Sequence, residues 1–410
     1  SNNIYYWNGG VYLKKRGDLL AIMLATSMVF AGCANDNNKE DDKNEPAVEE
    51  SKDKETTETT DEKEDTTDSK ETTENKNSEN NDDENTENVD KEDKKNDEKT
   101  ADESSTEEGN VVLHRAYPAT EGRSFPTIVV ATSGDKIVDA FIDEYQFFDK
   151  NSEYKGVPNS DKEFGEGVKE GRILASKIDN EELYSDEMKE AGGEATLMDN
   201  YNSIIDYVKG KTIDELEDFI SNNEDEEIID ALTGATFKST PELLKYVVDT
   251  AKDDMFTISG TAENPDDITL KYAIGAPHGE KSFGNAVVAL EGDKIIAASI
   301  DEYQYLEAGK TKLDVKSDFA KSYAKDNIVL GSKLENDEAY STLMKDKAKA
   351  TKSIKENFEA IENFVAGKTI NEVKDVIADA KPGEAIEAVS GATLVDTAGY
   401  LQLIVDAAEK

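Results

Sequence analysis

The chain repeats itself, and that limits its possible folds more than any other feature. Gly134-Asp135-Lys136-Ile137 returns as Gly292-Asp293-Lys294-Ile295, and Ile142-Asp143-Glu144-Tyr145-Gln146-Phe147 returns as Ile300-Asp301-Glu302-Tyr303-Gln304-Tyr305, both 158 residues on. Gly210-Lys211-Thr212-Ile213 returns as Gly367-Lys368-Thr369-Ile370, and Thr233-Gly234-Ala235-Thr236 as Ser390-Gly391-Ala392-Thr393, both 157 residues on. Four matches at a near-constant offset point to one unit used twice, with a junction at Asn264-Pro265-Asp266-Asp267. The units are placed at 110–258 and 262–410, each of ordinary domain size.

Within a unit the pattern is readable. Segments 127–132 and 136–142 are β-rich and flank Ser133-Gly134-Asp135, a hairpin signal. A helix-rich middle follows, with one helix ending in Ile204, Ile205, Tyr207 and Val208 before Gly210. Thr212 with Glu215, and Thr369 with Glu372, form capping boxes. The last helix starts near Thr240-Pro241-Glu242 and buries Leu243, Leu244, Val247, Val248 and Ala251. Early strands, later helices and no βαβ alternation indicate α+β, with a small antiparallel sheet packed by helices in each unit.

The first quarter of the chain has a different character. Lys14-Lys15-Arg16, a short apolar run at 19–30 and Ala31-Gly32 before Cys33 have the order of a secretory signal. Phe30-Ala31-Gly32-Cys33 resembles a bacterial lipobox, with Phe30 in place of the usual leucine. Cys33 is the only cysteine, so lipidation there would leave no free thiol in a secreted protein. Residues 1–33 are thus expected to be upstream residues and a lipoprotein signal peptide. The following acidic linker, 34–109, holds 31 acids against 11 lysines up to residue 108, part of a net charge of −45. With almost no apolar side chains it cannot offset the entropy of ordering and is expected to be a disordered tether. That charge, without a basic patch, disfavours nucleic acid as a partner.

The element that carries chemistry is Asp230-Ala231-Leu232-Thr233-Gly234-Ala235-Thr236, repeated as Glu387-Ala388-Val389-Ser390-Gly391-Ala392-Thr393. It reads as a strand-to-helix turn of small residues. Gly234 permits a tight backbone, and a threonine hydroxyl stands ahead of a helix N-terminus, where phosphate is favoured. This pattern resembles the flavinylation motif of the FMN-binding domains in the C and G subunits of Nqr and Rnf respiratory complexes. Lipobox, acidic spacer and two such domains together resemble the PplA-like flavinylated lipoproteins of extracellular electron transfer in Gram-positive bacteria.

The resemblance implies two tandem homologous FMN-binding-type domains and two FMN groups, each joined by a phosphoester to Thr236 or Thr393. An ApbE-type flavin transferase would transfer them from FAD, with Asp230 as the motif acid used in recognition. The second copy departs from the pattern at Glu387 and at Val395-Asp396; Asp396 also suits the N-cap of the last helix. Tyr145 and Tyr303 are candidates to stack on the flavin, with Gln146 and Gln304 bonding its polar edge. Met188 and Met344, at matching positions, are candidate liners; for these six, ordinary core or strand roles are the competing reading.

His114 and His278 do not align between units. No metal-ligand spacing and no Ser/His/Asp arrangement stands out. The implied function is an electron carrier, not a substrate-transforming enzyme, anchored by lipid to the extracellular face of the cell membrane. It would take electrons from a membrane flavoprotein or quinone-linked dehydrogenase and pass them to extracellular acceptors such as ferric iron or free flavins. The alternative is a surface lipoprotein without flavin that binds a peptide, wall polymer or small ligand.

Overall fold

Strand alternation decides how the molecule is layered. The computed structural model describes residues 109–118, 122–311 and 318–410, plus the backbone of 3–7, 10–15 and 18–20. Cys33 and the acidic run 34–108 lie outside the described residues. Near the N-terminus, β1 (Asn3–Trp7), β2 (Gly10–Lys15) and β3 (Asp18–Leu20) form an antiparallel meander.

In the C-terminal unit, β4 (Asn110–Ala116), β5 (Ser124–Ser133), β6 (Lys136–Asp149), β7 (Arg172–Ser176) and β8 (Thr257–Thr261) form one antiparallel sheet, ordered β7-β6-β5-β4-β8. A second antiparallel sheet, β12-β11-β10-β9, comprises β9 (Thr269–Gly275), β10 (Ser282–Glu291), β11 (Lys294–Glu307) and β12 (Ile328–Ser332). Ile128 and Val130 point to the helices of the first half, whereas Val129 and Ala131 point to the second sheet. Val288 and Val287 divide in the same way. Each sheet is therefore buried on both faces. The architecture is mixed α/β in four layers, helices–sheet–sheet–helices.

The helices of the first half are α1 (Glu181–Glu190), α2 (Leu197–Val208), α3 (Ile213–Asn222), α4 (Asp225–Ala231) and α5 (Thr240–Ala251). Those of the second are α6 (Asp337–Ala348), α7 (Ile354–Val365), α8 (Ile370–Ala378) and α9 (Thr397–Ala408). Element order in the two halves agrees except at α4 and β8, which have no counterpart in the second half. Both long hairpins even carry a register shift at matching places, Ala131/Thr132 and Ala289/Leu290.

Local sequence explains these boundaries. Thr212/Glu215 and Thr369/Glu372 close the expected capping boxes, and Thr196/Asp199 and Ser353/Glu356 close two more at α2 and α7. The apolar face expected for α5 is buried in full. β5 and β6 run longer than 127–132 and 136–142, because Phe125, Tyr145 and Phe147 supply an aromatic cluster between the sheets. β8 lies across the end of the first unit and adds to its sheet beside β4. One expectation is overturned: the motif is not a strand-to-helix turn. Ile228-Ile229 lie in α4, whose capping box at Glu224/Glu227 starts a helix just before the motif. The turn therefore joins two helices. Among the described residues no helix is long and apolar enough to cross a membrane.

Candidate functional site

The repeated turn is built the same way twice. The Ala235 N–H donates to the Leu232 carbonyl at 3.0 Å, and the Ala392 N–H to the Val389 carbonyl at 3.1 Å. Gly234 and Gly391 occupy the third positions with φ of 95° and 99°, a left-handed backbone that a side chain resists. Leu232 and Val389 are buried and pin each turn to its helical layer, while Thr233, Ser390, Thr236 and Thr393 are exposed. Asp230 and Glu387 are exposed as well, Asp230 within α4.

What fixes the threonines is a residue the motif reading missed. Asn200 on α2 is fully buried, and its Oδ1 accepts the Thr236 N–H at 2.7 Å and the Phe237 N–H at 2.8 Å. The Thr236 hydroxyl lies 3.4 Å from the same oxygen. Asn357 on α7 does likewise, accepting the Thr393 N–H at 2.7 Å and the Thr393 hydroxyl at 3.1 Å. Each amide then donates back to its own helix, to the Thr196 or Ser353 carbonyl at 2.7 Å. The signal was present in the sequence: two asparagines 157 apart, each interrupting the apolar stripe of an amphipathic helix.

The surroundings of the two turns differ. Beside Gly391 the Lys352 ammonium approaches to 3.5 Å of where a Cβ would stand, and the matching position in the first half is Ala195. Asp396 makes no side-chain cap bond to α9; its carboxylate meets His278 Nδ1 at 2.7 Å instead. Val395, two residues past Thr393, is 52% exposed, so an apolar side chain faces solvent beside that hydroxyl. Ala235 and Phe237 supply half-buried apolar surface at the first turn.

Tyr145 and Tyr303 are not brought to the motif. Both are 1% exposed between the sheets, their rings 5.9 Å apart and packed on Phe125 and Phe283. Neither ring face is open to a ligand, because the alternation of β6 and β11 turns them inward. Gln146 and Gln304, next in each strand, are half-buried on the opposite side. Met188 and Met344, on α1 and α6, pack half-buried against the two helical cores.

The glutamate of the repeated Asp-Glu-Tyr-Gln segment carries a structural role that sequence alone did not reveal. Glu144 pairs with the buried Lys177 at 3.0 Å and accepts the Tyr201 hydroxyl at 2.7 Å. Burial pushes its carboxyl up, but the Lys177 ammonium and the hydroxyls of Ser124 and Tyr201 outweigh that and hold it below the ordinary carboxylate range. Glu302 pairs with Lys333 and accepts the Tyr400 hydroxyl at 2.7 Å, all three buried.

The site is thus an exposed threonine on a glycine-dependent turn, locked to a buried amide, and it occurs once in each outer helical layer. No protein-family model, no curated protein and no solved structure matches this chain.

Proposed function

We propose that the chain consists of two tandem copies of an FMN-binding-type domain, each carrying FMN as a phosphoester on its threonine, Thr236 or Thr393. The observation that supports this best is the double occurrence of an exposed threonine whose backbone is held by a buried asparagine. Such a site suits a covalent link made by a second protein, because the threonine is reachable and its backbone is already ordered. In the transfer, the threonine Oγ–P bond forms, the pyrophosphate P–O bond of FAD breaks, AMP leaves, and the hydroxyl proton passes to a base of the transferase. Bound in this way, FMN would supply reversible redox chemistry.

The chain's own residues contribute attachment and local setting. Thr236 and Thr393 hold the phosphate, Lys352 offers a cation at the second turn, and half-buried apolar side chains at both turns offer surface to a flat ring. Anchored through Cys33 and the acidic tether on the outer face of the cell membrane, such a protein would relay electrons. Its donor would be a membrane flavoprotein or quinone-linked dehydrogenase, and its acceptors ferric iron or free flavins. Covalent attachment has a physical rationale there, since a loosely held flavin outside the cell is diluted away.

The test is to make the protein together with an ApbE-type transferase and weigh it intact. Two added FMN groups are expected, with fluorescence that survives denaturing electrophoresis. Thr236→Val and Thr393→Val should each remove one, with the greater loss of yield from Thr236→Val because its motif has the aspartate. A colourless wild-type protein beside a labelled control acceptor in the same cells would sink the proposal.

A further inference from the structure

We infer that Asn200 and Asn357 are the positioning residues for flavin transfer, each acting through the threonine of its own half; this rests on the proposed function above. A threonine hydroxyl on a surface loop has three rotamers and a mobile backbone. An attack on phosphorus needs its oxygen held along one line, and misplacement by an ångström costs orders of magnitude in rate. In both halves one carboxamide holds the backbone that carries the hydroxyl. Its oxygen takes the threonine N–H at 2.7 Å and lies within 3.4 Å or 3.1 Å of the hydroxyl. At Thr393 the hydroxyl is the donor in that contact, whereas at Thr236 the N–H groups of Thr236 and Phe237 fill the Asn200 oxygen and fix the backbone that carries the hydroxyl.

The residue type is constrained. The amide must accept on the turn side and donate on the helix side, to the Thr196 or Ser353 carbonyl at 2.7 Å. A carboxylate has no donor for that carbonyl, and leucine has neither function. Packing alone would favour leucine, because Leu197, Tyr201 and Ile204 make the surrounding stripe apolar in α2, as Ile354, Phe358 and Ile361 do in α7. A buried polar side chain at this place in both halves therefore serves the turn, not the core.

The step itself is the one given above: the Oγ–P bond forms, the pyrophosphate bond of FAD breaks, AMP leaves, and the proton goes to the transferase. Asn200 and Asn357 neither take that proton nor touch the phosphate. They set the attacking oxygen in place.

The experiment uses the full chain, purified transferase and FAD, and follows label on Thr236 and Thr393 separately by peptide mass. Each variant carries its own standard, since the other site sits in the same molecule. Asn200→Leu should slow labelling of Thr236 by about tenfold or more and leave Thr393 at the wild-type rate; Asn357→Leu should do the reverse. Asn200→Asp, which restores the acceptor, should label Thr236 faster than Asn200→Leu while melting at a lower temperature, because it buries a charge.

That inversion separates positioning from packing, for which labelling and stability would fall together. Amide exchange at residues 236 and 237 should be fast in the leucine variant and slow in the aspartate variant. Wild-type labelling with an unchanged rate in Asn200→Leu, or a slower rate in Asn200→Asp than in Asn200→Leu, overturns this inference alone. No label on either threonine of the wild type overturns the flavin proposal and this inference with it.

Discussion

At the residue scale, the buried carboxyls set how the fold responds to pH. Glu362 on α7 accepts the Ile300 N–H at 2.8 Å, on a stretch of β11 that β12 does not reach. Burial pushes its carboxyl up to about 8, with Glu359 and Asp301 adding to the rise and the Ile300 N–H and Arg115 opposing it. Its ordinary value is 4.5, so between 4.5 and about 8 the folded chain keeps a proton that the unfolded chain has lost. Stability must fall as pH rises through that window. The contribution is complete below 4.5 and gone above about 8. Asp143, raised to about 7 by burial against the bonds from Ser176 and Ile178, slopes the same way. Glu362→Gln keeps the acceptor and removes the titration. Its melting temperature, compared with wild type by calorimetry, should gain several degrees between about pH 5 and pH 9. Curves that stay parallel across the range would contradict this account of Glu362.

At the element scale, the motif turn depends on its glycines, but not equally. Gly234 has only the Asp199 carbonyl near an added Cβ, at 3.8 Å, whereas a Cβ on Gly391 would meet the Ala360 Cβ at 3.2 Å. Gly234→Ala therefore costs the strain of its left-handed φ, about 1–3 kcal/mol, and Gly391→Ala costs that plus a contact against α7. Denaturant melts should rank the two in that order; equal costs would mean that the α7 contact relaxes freely.

These elements also show what could be read beforehand. Capping boxes, the hairpin glycine and the apolar face of α5 are local signals over three to twelve residues, and they placed helices and strands well. The motif helix α4 was missed because a seven-residue acidic segment has little apolar period to reveal it. The core role of the tyrosines is only half legible for a different reason: alternation says that Tyr145 and Gln146 point opposite ways, but not which side faces a second sheet. Tyr201 illustrates the limit. It serves Glu144 from α2, while the same service to Glu302 comes from Tyr400 on α9, and Phe358 stands at the position equivalent to Tyr201. An exchange between two helices keeps the bond and erases the sequence match.

At the scale of the whole C-terminal unit, the layering separates the two turns. Thr236 belongs to the helical layer outside the first sheet and Thr393 to the layer outside the second, with both sheets between them. Sheets packed face to face lie about 10 Å apart, and each helical layer adds about 10 Å more. The two hydroxyls should therefore be separated by about 30 Å. Groups attached at them would face opposite sides of one body and meet partners independently, so loss of one should leave the redox behaviour of the other unchanged. This arrangement can be measured without any flavin. Because Cys33 is the only cysteine, a chain carrying Cys33→Ser with Thr236→Cys and Thr393→Cys takes two nitroxide labels at the two turns. Pulsed dipolar spectroscopy should return one narrow distribution centred at about 30 Å or beyond, since the turns are pinned by Leu232 and Val389. A centre below about 20 Å would place both turns on one side of the sheets, and a broad distribution would mean that the halves move as separate bodies and not as the four packed layers.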